Sequence, residues 1–236
     1  MLDTILFDLD GTLLPMDQNT FIKAYVKELC MRYVPCGYDK DLIVKALWAG
    51  TGAMVQNDGT CKNEDRFWSA FDSMLGDTRI LRETVPSFYA EEFDRVKEIT
   101  THTPFSRQII DTLRDKGYQL VLATNPLFPE QGVRTRLSWV DLTPEDFSLV
   151  TTYSNSTFCK PFPGYYQEIL KVIGKEPAQC RMVGNNPLDD MSAAKLGLDV
   201  FFVTDCIENE KNLPTDHLPQ GSLEDVLCWA KELPTL

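Results

Sequence analysis

The sequence predicts an α/β fold, a doubly wound parallel sheet interrupted by one all-helical insert. Three observations predict it. Short apolar runs alternate with helical patterns through the second half of the chain; the runs are near-continuously apolar, as strands covered on both faces require; and residues 16–102 carry helical patterns with no convincing strand.

Thr4-Ile5-Leu6-Phe7 is the first predicted strand and runs straight into Asp8-Leu9-Asp10-Gly11-Thr12. The insert follows. Thr20–Tyr33, Asp39–Val55, Glu64–Leu75 and Ile80–Lys97 show apolar residues at helical spacing, punctuated by Pro35-Cys36-Gly37 and Asp58-Gly59-Thr60. Phe21, Trp48, Phe67, Trp68 and Phe71 fall at that spacing and are expected in the core. The expected division is therefore 1–15 with 103–236 as the α/β core, and 16–102 as a helical domain beside it. An insert placed just after a functional strand end is well placed to act as a lid.

Beyond it, Ser106–Lys116 is a helix stopped at Gly117, and Gln119–Ala123 is a strand ending in Thr124-Asn125-Pro126. Pro129–Trp139 is a helix, Phe147–Tyr153 a strand, and Pro163–Ile173 a helix. Arg181–Val183 is a strand leading into Gly184-Asn185-Asn186-Pro187-Leu188-Asp189-Asp190. Leu188–Leu196 is a helix stopped at Gly197, Val200–Val203 a strand, and Ser222–Leu233 the last helix.

Composition removes several function classes. Lys plus Arg number 23 against 35 Asp plus Glu, a formal charge of −12. So acidic a chain repels nucleic-acid backbones and anionic lipid, which leaves room only for a local cationic pocket. No apolar run approaches the roughly 20 residues of a membrane helix, and the start of the chain has no signal-peptide pattern. The 7 cysteines are scattered and never form a C-x-x-C pair. Reduced thiols in a cytoplasmic protein are the expectation, rather than a disulfide framework or a zinc site. The glycines of Gly50-Thr51-Gly52 lack a preceding strand and a third partner, so a turn or helix break is expected there and not a dinucleotide loop. His102 and His217 lie far apart among turn formers and are expected in solvent; Cys159 is expected to be a quiet thiol.

Candidate chemistry gathers at strand ends. Asp8 and Asp10, one residue apart at the end of a buried strand, repel each other and need a cation to offset them. Gly11 permits the tight turn and the Thr12 hydroxyl is expected to hold it. A lone loop Asp would ordinarily be an N-cap or Asx turn, but a pair at this place points to a ligand crevice. Lys160 lies in a loop stiffened by Pro161 and Pro163; otherwise it is a solvated lysine. Thr124 and the Asn125 N–H could bind phosphate oxygens, or simply cap a strand. Asp189 and Asp190 suit a helix N-terminus, and would also be in reach of a cation shared with Asp8.

Taken in order, Asp8-x-Asp10-Gly-Thr, Thr124, Lys160-Pro161 and Gly184–Asp190 resemble the four motifs of the haloacid dehalogenase-like (HAD) hydrolase superfamily, in its phosphatase-type branch with a helical cap. The resemblance implies a Rossmann-like core with its site at the strand C-terminal ends. It implies Asp8 as the nucleophile that carries an aspartyl-phosphate, and Asp10 as general acid and then base. It also implies Mg²⁺ held by Asp8, Asp10 through its carbonyl, Asn185 and Asp190, with Thr124, Asn125 and Lys160 on the phosphate. Asp10 favours phosphate esters, because the dehalogenase branch lacks this second acid.

One departure stands out. Most relatives have Asp where this chain has Asn185, so a formal charge is gone and weaker magnesium binding is expected. The implied function is a magnesium-dependent phosphomonoesterase for a small phosphorylated metabolite. The alternatives are a sugar-phosphate mutase, or a weakened member that only binds a phosphorylated ligand.

Overall fold

The computed structural model describes the whole chain, Met1–Leu236. Six parallel strands form one sheet: β1 Thr4–Phe7, β2 Gln119–Leu122, β3 Leu149–Val150, β4 Cys180–Gly184, β5 Asp199–Val203 and β6 Gln220–Gly221. Their order is β3-β2-β1-β4-β5-β6. The chain steps outward from β1 to β3, then returns to the other side of β1 and steps outward again. The reversal falls between β1 and β4, which pair from Thr4↔Cys180 to Phe7↔Val183. In open α/β sheets such a reversal opens a crevice beyond the strand C-termini, where ligands bind. All four β1 residues are buried, as a central strand covered on both faces demands.

Between β1 and the next strand the chain is helical: α1 Gln18–Tyr33, α2 Lys40–Val55, α3 Asn63–Leu75, α4 Arg79–Ala90, a 3₁₀ stretch Phe93–Ile99, and α5 Pro104–Asp115. Asp17 and Asp39 cap α1 and α2 by accepting main-chain N–H bonds from Thr20 and Leu42, at 2.8 and 2.9 Å. The remaining helices are α6 Glu130–Ser138, α7 Pro163–Ile173 and α8 Leu223–Glu232. Pro163 opens α7 and Gly174, at φ 68°, closes it. One apolar cluster runs unbroken from Ile5 and Phe7 of the sheet through Ile109 of α5 to Phe21, Phe71 and Phe88 of the helical segment.

Several expectations need correction. The strand expected over Phe147–Tyr153 is only Leu149–Val150: at its ends the Phe147 N–H bonds back to the Pro144 carbonyl and the Tyr153 N–H to the Phe128 carbonyl, away from β2. The Ile80–Lys97 helix breaks after Ala90. Leu188–Leu196 is a 3₁₀ stretch over Met191–Leu196, and the short β6 carries no strand-like run for a sequence to show. The Gly50-Thr51-Gly52 stretch is uninterrupted helix inside α2, since Gly50 lets the Phe67 ring approach where a Cβ would lie 2.5 Å from it. Trp48 is not core: it is 48% exposed. All seven cysteines are free, and no helix is long and apolar enough to cross a membrane.

Candidate active site

Three adjacent strands deliver their C-terminal ends to one place. Asp8 and Asp10 follow β1, Thr124 and Asn125 follow β2, and Asn185–Asp190 follow β4; Lys160 reaches in from the loop before α7. Lys160 is the hub. Its Nζ donates to Asp8 Oδ1 at 2.9 Å and to Asp190 Oδ1 at 2.6 Å, and all three side chains are buried. Two carboxylates against one ammonium leave a net negative charge away from water. Burial pushes the Asp8 carboxyl well above its usual range, and Lys160 is the main opposing influence. Burial also works against the charge on Lys160, but Asp190 and Asp8 more than offset it and hold the ammonium well above its usual range.

Asp190 spends its other oxygen on the Asn186 N–H at 3.0 Å. With both oxygens committed, it anchors Lys160 and the β4 loop. Gly184 makes that approach possible: a Cβ there would lie 2.3 Å from the Asp190 carboxyl carbon. Asn125 closes the β2 side, its Oδ1 accepting the Lys160 main-chain N–H at 3.3 Å and its Nδ2 donating to Asp189 at 3.3 Å. Thr124 is buried and held through its carbonyl, which accepts from Tyr165 Oη at 2.8 Å and Thr151 Oγ1 at 2.6 Å. Neither bond consumes the Thr124 hydroxyl.

The turn after β1 differs from expectation. Thr12 does not hold its own turn; its hydroxyl donates to Asn185 Oδ1 at 3.0 Å. Asn185 Nδ2 donates to the Cys206 carbonyl at 2.6 Å. Gly11, at φ 78°, lies against that amide, where a Cβ would meet Nδ2 at 2.1 Å. Asn185 is therefore pinned between the β1 turn and the loop after β5, and it needs its N–H₂ for one of those two bonds.

Two residues of the site carry no motif. Arg136 of α6 is completely buried, stacks 4.1 Å from the centre of the Phe128 ring, and donates through Nη1 to Asp10 Oδ2. Asp10 Oδ1 and Arg136 Nη2 are both buried without a partner. Glu208, from the loop after β5, accepts from Asn186 Nδ2 at 3.3 Å. Burial raises its carboxyl to about 7, helped by Asp10, Asp190 and Asp189. The amphipathic pattern of α6 placed Arg136 on a helix but gave no sign of the strand end it reaches.

The remaining candidates stay out of the chemistry. Cys159 is fully buried and burial lifts its thiol to about 12. His102 is exposed and pairs with Asp141 at 2.8 Å.

Nowhere do three acidic, histidine or cysteine side chains converge as a metal cluster. The donors at the β1–β4 reversal are of mixed kind instead: the Asp8 carboxylate, the Asp10 carbonyl and the Asn185 amide oxygen. All are hard oxygens beside an uncompensated negative charge, a set that suits magnesium, which binds through one or two carboxylates and keeps much of its water.

Comparison with known proteins bears on the family and the fold. A pyrophosphatase PpaX from Bacillus pumilus is 29% identical over 216 residues, covering 90% of this chain and 88% of the relative. The PpaX of Bacillus cereus is 23% identical over 196 residues, 83% of this chain and 80% of its own. Among solved structures, a HAD phosphatase from Thermococcus onnurineus superposes with a TM-score of 0.62 at 19% identity over 100% of both chains. The L-2-haloacid dehalogenase of Xanthobacter autotrophicus does so with a TM-score of 0.58 at 17% identity, over 99% of this chain and 100% of that one. At such identities the structures speak for the fold alone. The family model for haloacid dehalogenase-like hydrolases spans residues 2–197, from the β1 strand through the Asn185–Asp190 loop, and the chain belongs to that hydrolase family.

Proposed function

We propose that this hydrolase is a magnesium-dependent phosphomonoesterase that works through an aspartyl-phosphate on Asp8. The observation that supports it most is the buried Lys160, bonded at once to the carboxylate that would attack and to Asp190 behind it. Holding Asp8 by Oδ1 fixes the carboxylate plane and leaves the other oxygen for attack on phosphorus. The Lys160 ammonium, the Thr124 hydroxyl and the main-chain N–H groups after β2 would receive the phosphoryl oxygens.

Asp8, the Asp10 carbonyl and Asn185 would hold the magnesium ion. When bound, it supplies charge screening between carboxylate and phosphate dianion. Asp190, with both oxygens committed, supports the site through Lys160.

Asp10 is held by Arg136 through one oxygen, and its unpartnered Oδ1 is the atom for proton transfer. In the first step the P–O(ester) bond breaks as Asp8–P forms, and the departing alcohol takes its proton from Asp10. In the second, Asp10 takes a proton from water, water attacks phosphorus, and Asp8 is released with inorganic phosphate. Helices α1–α4 would act as the cap that keeps bulk water from the intermediate, with residues 1–15 and 103–236 as the core. Asn63 at the start of α3 supports this, because its buried Nδ2 donates to the Pro126 carbonyl at 3.3 Å, next to the phosphate loop.

Incubating the protein with a small phosphate monoester and magnesium, quenching in acid and digesting tests the intermediate. A phosphate mass on the peptide carrying Asp8 is expected. A turning-over enzyme with no label on Asp8, or with label elsewhere, contradicts the reading.

A further inference from the structure

Two cavities meet at the start of α1. One is polar, about 540 Å³, and is lined by Asn186 and Glu208 on the catalytic side. The other is apolar, about 120 Å³, between α1–α4 and the loop that follows Thr124-Asn125. Gln18 and Ile22 line both, so one turn of helix is the shared wall. Phe21, Tyr25, Trp48, Trp68, Phe71 and Phe128 are among its apolar lining residues, and no Lys, Arg or His lines it.

A stacked arginine ties this cavity to the reacting groups. Phe128 carries the Arg136 guanidinium on its face, and Arg136 holds Asp10. Where the cavity turns polar, Gln18 Oε1 is buried with no partner, and the Tyr25 and Tyr89 hydroxyls bond each other at 2.8 Å. An aromatic-lined space with a few polar atoms at one end is the usual make-up of a small-molecule site. Its volume approaches that of the dry apolar cavities, about 150 Å³, that take up benzene.

We infer that this cavity is the leaving-group subsite, and that the preferred substrate is a phosphate ester of an alcohol bearing an apolar, benzene-sized group. The inference rests on the phosphatase reading above. The ring would lie among Tyr25, Trp68 and Phe128, and the ester oxygen would face Asp10 Oδ1. A second phosphate, as in inorganic diphosphate, would meet no cation in this space and would leave its aromatic wall uncovered. The preference of this chain therefore differs from what the name of its PpaX relatives says of them.

The test compares kcat/KM for benzyl phosphate and ethyl phosphate with magnesium. Their leaving alcohols are of similar acidity, so the ratio isolates the apolar contact. A preference of about 30-fold for benzyl phosphate is expected from the area a phenyl ring buries. In Val85→Trp, which fills the cavity, the ratio should fall towards one. Trp48→Ala removes a rim side chain that is 48% exposed, a change a folded protein tolerates, and should lower the ratio severalfold. Direct titration of each protein with benzyl alcohol, followed by calorimetry, reads occupancy without turnover.

Equal rates for the two esters, or a ratio unmoved in both variants, overturns the subsite while leaving the phosphatase reading intact. Release of phosphate from neither ester, with benzyl alcohol still bound by the wild type and not by Val85→Trp, overturns the phosphatase reading and the substrate class with it.

Discussion

The charged edge of the sheet and the aromatic space among α1–α4 are linked through Arg136, and they are built on opposite rules. At the edge, directed hydrogen bonds fix most of the groups: Lys160 to Asp8 and Asp190, Asp190 to Asn186, Asn185 to Thr12 and Cys206, with Asp10 Oδ1 left unpartnered. In the aromatic space rings meet at varied angles, such as Tyr25 with Phe128 at 61° and Tyr25 with Tyr89 at 20°, and few polar atoms intrude. A fixed polar network orients a reacting group to within fractions of an ångström, while an apolar wall selects by size and tolerates variation. On the reading proposed here, chemistry and choice of substrate are carried by different parts of the chain.

That contrast breaks first at Lys160. Lys160→Met leaves Asp8 and Asp190 buried with no counter-charge, which costs about 3–5 kcal/mol of stability. The deficit against wild type should be fully present near pH 8 and shrink as pH falls and the buried Asp8 carboxyl, already held above its usual range, takes up a proton. Denaturant titration at a series of pH values measures it. A pH-independent loss would mean that packing, not charge, is what Lys160 supplies.

Arg136 joins the two regions, so its removal should register on the chemical side. Arg136→Met is expected to lower kcat about 100-fold, the usual cost of misplacing a catalytic group by an ångström, with a much smaller change in KM. A change in KM alone would place Arg136 in substrate binding instead.

Asn185→Asp sharpens the account of the edge. The added charge should tighten magnesium about tenfold, well short of the ~4 kcal/mol that unit charges 4 Å apart exchange at a dielectric near 20, because solvent screens the rest. The same change turns the Cys206 hydrogen bond into an oxygen–oxygen contact, so the metal-free variant should be about 1 kcal/mol less stable than wild type. Calorimetric titration and metal-free unfolding read the two effects separately. Unchanged metal affinity would remove Asn185 from the metal site.

Glu208 gives the smallest effect. Its carboxyl, raised to about 7 in the folded protein, holds a proton that the unfolded chain has lost above its ordinary range. Without metal, stability should therefore fall as pH rises from about 4.5 through 7. Glu208→Gln should remove that fall and be about 1 kcal/mol more stable at pH 8, the full 1.36 per unit being discounted for partial exposure. The two proteins should converge below pH 5.

Much of the charged edge was legible in the sequence because its groups lie within a few residues of strand ends. Asp8 and Asp10 follow β1 directly, and Thr124 follows β2. Parallel strands bring such ends together whatever the loops between them do. Arg136 was not legible. It lies one helix beyond β2, and only the tertiary fold brings it to Asp10, 126 residues away in sequence. The partner of Thr12 was missed for a similar reason: Asn185 lies 173 residues away. Helical spacing placed Trp48 and Trp68 on apolar faces alike, yet Trp48 stands half-exposed at the cavity rim and Trp68 is buried. A repeat of 3.6 residues gives a stripe, not the partner that covers it. β6 was invisible because Gln220-Gly221 forms a strand only by adding to the edge of β5.

The most direct test of the central claim is phosphate release from benzyl phosphate, with and without magnesium, by wild type and Asp8→Asn. The account predicts magnesium-dependent release by the wild type and at least about 10⁴-fold less by a variant that folds equally well. Release that persists in Asp8→Asn, or that ignores magnesium, would contradict it.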